Sequence, residues 1–417
     1  MVQEENASKI PEGKITPDAL ENWKQRIGAK LRIPNVFNTL ASKESIRHCA
    51  DGVGDSNPLW RNERYAEQTR YGCMVAPQYW LYSVFPTWVL QGLPGVHAYH
   101  SGNDWEFHRP ILVNDIITPE CVFTGFEEKK STFAGKLVME YQDAYYYNQR
   151  AELVAKAKSW LVRVERAATR QTGKYHKLTL PHPWEEEDLR SIEEEEVRSM
   201  ENVRGANPRY WEDVKEGEEL PELVKGPFGY TDMIAYCAGS APVQMLAFGL
   251  SAQLYRDHPA WAVRDPRTSA KEPIYSVHYN DFVAHSAGLP YTYDVGVQRQ
   301  SFLLQFILGW MGDDGWFKRN YAEYRGFFYH SDVLWFKGKV TKKYTDENGE
   351  HCVDIETHAV NQRGEDTMPG RSTVILPSRN EDSLPVERRL PAIPKDLRGK
   401  LFYLTSKNGR YSLDPLP

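Results

Sequence analysis

The chain has 417 residues, 26% of them charged and 12% aromatic, with a formal net charge of −6. That length suffices for two or three domains, and a pI near 6.1 gives no electrostatic footprint for nucleic acid or for an anionic membrane surface. No stretch approaches the ~20 apolar residues of a membrane span or opens the chain as an apolar leader, and Cys49, Cys73, Cys121, Cys237 and Cys352 lack paired spacing, as expected of reduced thiols in a cytoplasmic protein.

In chain order, SKESIRHCA (42–50) predicts a polar helix start that leads to a longer helix. Three strand-like runs follow, IITPECVFTGF (116–126), FAGKLVMEYQDAYYYN (133–148) and ELVAKAKSWLVRV (152–164), with alternating or continuous apolar character. The segment 166–204 holds LPHPWEEEDLRSIEEEEVRSM, whose acidic run reads as a solvated helix. YTDMIAYCA (230–238) then repeats the helix start, and VLWFKGKVTKKY (333–344), CVDIETHAVN (352–361) and STVILP (372–377) repeat the strands. The tail, 379–417, is proline-rich and is expected to wrap the surface.

Internal repetition explains this order. Asn148-Gln149-Arg150-Ala151-Glu152 recurs as Asn361-Gln362-Arg363-Gly364-Glu365, FHRPILVND (107–115) faces YRGFFYHSD (324–332), and Ile46-x-x-Cys49-Ala50 faces Ile234-x-x-Cys237-Ala238. Three matches in one order imply two copies of one unit, over about 20–165 and 205–378. A helix followed by several strands must bury the helix on the sheet, so each copy is an α+β unit with antiparallel strands curled around a central helix. The second copy carries about thirty extra residues between Pro242 and His278, an insertion placed to reshape a pocket rim.

Gly54-Asp55-Ser56-Asn57-Pro58-Leu59, with Tyr65-Ala66 and Arg70-Tyr71-Gly72-Cys73-Met74-Val75-Ala76-Pro77 after it, resembles the MaoC-like (R)-specific enoyl-CoA hydratase and acyl dehydratase family. GCMVAPQYW, HSGNDWEFHRPILVND and NQRAELVAKAKSWLV are similar to the FAS1-like dehydratase N-terminal domain of two-copy members. The resemblance implies a tandem, or double, hot-dog fold with antiparallel sheets wrapped around long central helices. Its expected layout is an N-terminal hot-dog domain at 1–165, a charged linker at 166–204, a C-terminal hot-dog domain at 205–378 and a tail at 379–417. It also implies reversible addition of water to an α,β-unsaturated acyl thioester, with coenzyme A entering as part of the substrate, no other cofactor, and a possible homodimer.

Hydration needs a group that takes a proton from water, one that protonates the α carbon, and donors at the thioester oxygen. The family's D-x-N-P-x-H motif supplies an Asp and a His for proton transfer, but here Trp60 stands where the His is expected. The second copy has Gly239-Ser240-Ala241-Pro242 in place of the acid and amide, yet sets His278 against Trp60. These losses predict a composite site, with Asp55 and His278 as the acid–base pair and Asn57 orienting water or acid. His100 is the alternative base, ahead of His97 and His108. Gly72 and Gly296 are candidates to present N–H groups to the thioester, and Arg299 to meet a coenzyme phosphate or else pair with Asp294.

Bland readings accompany these. Asp55 and Asn57 also suit turns and helix caps, and His278-x-x-Asp281-x-x-x-His285 shares a helix face but reads as structural histidines, with no metal expected. Trp80, Tyr82, Trp88 and Trp310 fit either a core or a bulky acyl group. A hot-dog thioesterase using Asp55 alone, and a non-catalytic acyl-CoA-binding subunit that needs a partner, are the alternatives to a hydro-lyase.

Overall fold

The computed structural model describes residues 13–34, 36–131, 135–165, 178–240, 245–265, 267–400, 402–407 and 410–415. Ala241 and Pro242 lie outside the described residues. Strands β1 (His97–Phe107), β2 (Thr118–Ser131), β3 (Gly135–Tyr147) and β4 (Leu153–Val164) come from the first copy. Strands β5 (Leu223–Lys225), β6 (Trp316–Glu323), β7 (Leu334–Thr345), β8 (His351–Asn361) and β9 (Gly370–Ile375) come from the second. All nine share one sheet in the order β2-β3-β4-β1-β6-β9-β8-β7-β5, every neighbouring pair antiparallel.

The copies join where β1 pairs with β6, Asn103 opposite Ala322 and Glu106 opposite Arg319. Alternation sets the faces: along β8, Val353, Ile355, Thr357 and Ala359 are buried, while Asp354, Glu356 and His358 between them point outward.

Repetition extends to individual hydrogen bonds. Gln149 Nε2 donates to Asp115 Oδ1 (2.7 Å) in the first copy, and Gln362 Nε2 to Asp332 Oδ1 (2.6 Å) in the second. Arg150 and Arg363 bond the same two aspartates, and Asn148 and Asn361 bond Glu152 and Glu365. Helices α1 (Lys43–Val53) and α3 (Tyr230–Ser240) pack on each other. Their backbones approach so closely that a Cβ at Gly52 would lie 2.7 Å from Ala235 O, and one at Gly239 2.2 Å from His48 O. Between the copies, the acidic run forms α2 (Glu186–Met200), mostly exposed, with Ile192 and Ser199 turned inward.

The central helices are unequal. In the second copy α4 (Gly296–Met311) has 14 of 16 residues buried, with Gln298, Arg299, Gln300, Ser301 and Gln305 among them. In the first copy the expected long helix is corrected to a 3₁₀ turn, Gln78–Trp80, running into Leu81–Val84. Pro86 disfavours helix at Phe85, and the sheet floor beneath holds polar side chains that take up the backbone of an irregular segment. Tyr146 donates to Phe85 O (2.6 Å), Ser159 to Thr87 O (3.0 Å), and Arg163 to Gln91 O (3.1 Å) and Leu93 O (3.2 Å). Gln142 both donates to Val89 O and accepts from Val89 N–H, each at 2.8 Å. Arg163 is neutralised by Glu140 at 2.7 Å, both fully buried. An irregular buried segment survives only when such partners satisfy its carbonyls.

Candidate active site

Asp55 follows the left-handed Gly54 that closes α1. Its carboxylate accepts from Asn57 N–H (3.0 Å) and the Tyr79 hydroxyl (2.8 Å), and Asn57 Oδ1 in turn accepts from Leu59 N–H (2.9 Å). Burial pushes the Asp55 carboxyl up, opposed by those two bonds and by the charge of Lys225. Lys225 Nζ itself donates to Val53 O and Gly54 O. Asp55 and Asn57 therefore form consecutive side-chain turns, the structural duty open to them on sequence alone.

Trp60 meets Tyr79 edge-on, centroids 6.4 Å apart, and with Asn57, Gln78 and Asp313 lines a space of only about 30 Å³. The related place in the second copy lies one constant offset away. Asn62 and Asn280 each cap a short helix, starting at Glu63 and Asp281, and 280 − 62 = 218, 278 − 60 = 218 and 296 − 78 = 218. There His278 and Gly296 line a cavity of about 370 Å³. One copy's pocket is filled by an indole; its counterpart is open.

The open cavity takes its walls from both copies. Segment 85–90 and residues 96–101 bring Trp88 and His100; the insertion, a helix at Phe248–Asp257 and a hairpin of Ala262–Arg264 with Lys271–Pro273, brings Leu254, Tyr255, Trp261 and Pro273. Of the four aromatics singled out in the sequence, Trp88 lines the cavity, whereas Trp80, Tyr82 and Trp310 are core.

His278 Nδ1 lies 2.9 Å from Tyr293 O. A carbonyl only accepts, so Nδ1 carries the proton and Nε2 is left as acceptor in the neutral ring. Burial lowers this imidazole to about 4, against backbone bonds at Tyr293 and Asp294 that raise it. Tyr275 and Tyr293 flank it edge-on at 4.7 and 4.6 Å. Gly296 opens α4, which has no side-chain cap; Gln298 N–H turns back to Val295 O (2.8 Å), and the N–H groups of Gly296 and Val297 have no helix partner. A Cβ at Gly296 would sit 2.5 Å from the Tyr324 ring, so glycine is what lets that ring close over the helix start. His100 stands beside Tyr324 at 5.1 Å, at a bulge where the β1–β4 register slips before Gly102.

Of the sequence candidates, the structure thus brings His278, His100, Gly296 and Arg299 to one cavity. The composite pair is corrected: Asp55 is not among the residues lining that cavity, and its carboxylate accepts from the Tyr79 hydroxyl and Asn57 N–H, not from an imidazole. Gly72 is also corrected; it packs against Lys395 of the tail, with a Cβ clashing at 2.5 Å. Arg299 pairs with Asp294 through two bonds of 2.9 and 3.0 Å and gives Nη1 to Gly326 O and Thr367 O. At 2% exposure, with four of its five N–H groups given to protein, it takes the pairing with Asp294. His285 bonds Pro290 O and Asp281 bonds Phe282 N–H, and no cluster of three metal-ligating side chains occurs among the described residues. The described residues also contain no helix long and apolar enough to cross a membrane. The residues missed from sequence, Tyr293 and Tyr324, act through a carbonyl and a ring face, which no motif records.

Comparison with known proteins bears on the fold. Residues 27–157 match the family model of the FAS1-like dehydratase domain region. A curated relative from Thermomonospora curvata, named "Probable enoyl-CoA hydratase alpha subunit", is 25% identical over 187 residues, covering 39% of this chain and only 56% of the relative. A solved MaoC-like dehydratase superposes with a TM-score of 0.58 at 16% identity, over 85% of this chain and 99% of its own. A MaoC domain protein from Chloroflexus aurantiacus gives 0.54 at 11% identity, over 89% and 100%. Residues 27–157 thus resemble a FAS1-like dehydratase region, and the chain shares the fold of the solved MaoC-like dehydratases, a double hot dog.

Proposed function

We propose that the chain is a hydro-lyase that adds water to, or removes it from, an acyl thioester such as a coenzyme A ester. The two units, 1–165 and 205–378, build one working site between them. The observation that carries this reading is the convergence of a neutral, oriented imidazole, His278, and an uncapped helix start, Gly296, on one cavity.

In the hydration direction, His278 Nε2 takes a proton from water as its oxygen bonds to the β carbon. The C=C pair moves toward the α carbon, and charge gathers on the thioester oxygen. The N–H groups of Gly296 and Val297, with the positive end of the α4 dipole behind them, hold that oxygen. The same imidazolium then returns the proton to the α carbon, leaving a 3-hydroxyacyl thioester. A ring that resists protonation gives its proton back readily, which suits one group to both transfers.

A second reading is favoured by the cavity's acids. Asp294 is the one carboxylate among its described lining residues, and Arg299 holds it. Together with the "alpha subunit" in the relative's name, this supports a chain that binds the thioester while a partner chain supplies the acid. A thioesterase using Asp55 gains no support, since that carboxylate is turned into a buried loop. Purified protein incubated alone with a panel of enoyl-CoA esters, followed by loss of conjugated-thioester absorbance, separates these. Turnover supports the hydro-lyase; binding without turnover supports the partner-dependent subunit.

A further inference from the structure

Four lining residues form a file of rings along the open cavity. Phe327 meets Tyr293 at 4.6 Å, Tyr293 meets His278 at 4.6 Å, and His278 meets Tyr275 at 4.7 Å, each pair edge-on. The proposed base thus stands inside the file, and the two ends differ in charge. The Asp and Arg residues of the described lining gather at the Phe327 end: Arg325 is two residues before Phe327, Arg299 donates to Gly326 O (2.8 Å), and Asp294 accepts from Phe328 N–H (3.3 Å). At the Tyr275 end stands the insertion, where Ala262 pairs with Pro273 and so carries Trp261 to the stretch that leads into Tyr275. The insertion contributes Leu254, Tyr255, Trp261, Pro273 and Ile274 to the lining, none of them charged. An anionic coenzyme has no partner there and is costly to bury unpaired, whereas an acyl chain gains by leaving water.

The insertion's helix is itself tied to this wall. The 10 residues of Phe248–Asp257 are too few to hold a helix alone in water. Tyr255 is the one buried residue among them, while Phe248 and Leu250 are 92% and 67% exposed. Tyr255 also lines the cavity, so the side chain that anchors the helix is part of the wall. Volume sets the size of the occupant. An apolar cavity of about 150 Å³ admits benzene, about 25 Å³ per carbon, so about 370 Å³ admits about fifteen heavy atoms, or a thioester group with about ten acyl carbons.

We propose that the insertion is the acyl selector of this site: Tyr255 and Trp261 cover an uncharged acyl group of about ten carbons, and the coenzyme leaves toward Phe327 and Arg325. This rests on the thioester reading above and names the acyl class within it.

The test is calorimetric binding of butanoyl-, hexanoyl-, octanoyl-, decanoyl- and hexadecanoyl-CoA, saturated esters that cannot be hydrated, to wild type, Tyr255→Ala and Trp261→Ala. Wild-type affinity should rise by up to about fourfold per methylene, the worth of a buried CH₂, and level off near decanoyl-CoA. Both variants should bind butanoyl-CoA as wild type does, and their decanoyl-to-butanoyl affinity ratio should fall about tenfold, the contact of about two methylenes. A wild-type affinity that levels off before octanoyl-CoA, or still climbs from decanoyl- to hexadecanoyl-CoA, overturns the proposal, as does an unchanged ratio in either variant. Trp261 is only half-buried, so Trp261→Ala decides the matter if Tyr255→Ala fails to fold. If no thioester binds, the thioester reading fails separately, and the same ratio measured with butanoic and decanoic acids decides the selector.

Discussion

His278 donates its Nδ1–H to the carbonyl of Tyr293, 2.9 Å away and three residues before Gly296 opens α4. The proposed base and the helix start that would hold the thioester oxygen are thereby parts of one short tether.

The pH profile should show how deeply the imidazole is buried. A base works unprotonated, and burial lowers His278 to about 4, so kcat/KM should stay level through neutral pH and decline only as pH falls toward about 4. A limb near the ordinary histidine value of about 6.5 would mean a solvated ring.

Gly296→Ala should destabilise the fold by about 1–3 kcal/mol, the usual cost of overpacking, because the new methyl meets the Tyr324 ring. Urea denaturation of Gly296→Ala and of the double variant with Tyr324→Ala checks the cause. The alanine at 296 should cost less when Tyr324 is already removed.

Breaking the buried Asp294–Arg299 pair by Arg299→Met leaves an uncompensated carboxylate and should cost about 3–5 kcal/mol. Urea unfolding would reveal it as a lower midpoint. The loss should not depend on coenzyme A, since four of the five N–H groups of Arg299 go to Asp294, Gly326 and Thr367.

Trp60→Ala should cost about 3–5 kcal/mol through the cavity it opens without adding a second active site. Restoring a histidine there should also add no turnover, because Asp55 remains engaged by Tyr79 and Asn57. Kinetics of both variants, with the folded fraction measured alongside, are the check.

Much of this was legible in the sequence, and what was missed has physical causes. The Asn-Gln-Arg repeats found their aspartates at matching places because that clamp is local and polar. His278 could be set against Trp60 because an asparagine cap follows each by two residues. Asp55 misled because a carboxylate before an asparagine and a proline is spelled alike in an active site and in a turn. The first copy's shortened helix was hidden for another reason: Gln142, Ser159 and Arg163 occupy inward positions of β3 and β4, but nothing local says they bond the backbone of segment 85–93. Arg299 could be left open between Asp294 and a phosphate until its five-residue reach along the chain was seen closed.

The most direct measurement compares kcat/KM for an enoyl-CoA ester in His278→Ala and Asp55→Asn, each verified as folded. The account predicts a fall of about 10²–10⁴-fold for His278→Ala and a value close to wild type for Asp55→Asn. A His278→Ala enzyme as fast as wild type, or an Asp55→Asn enzyme without turnover, would contradict it.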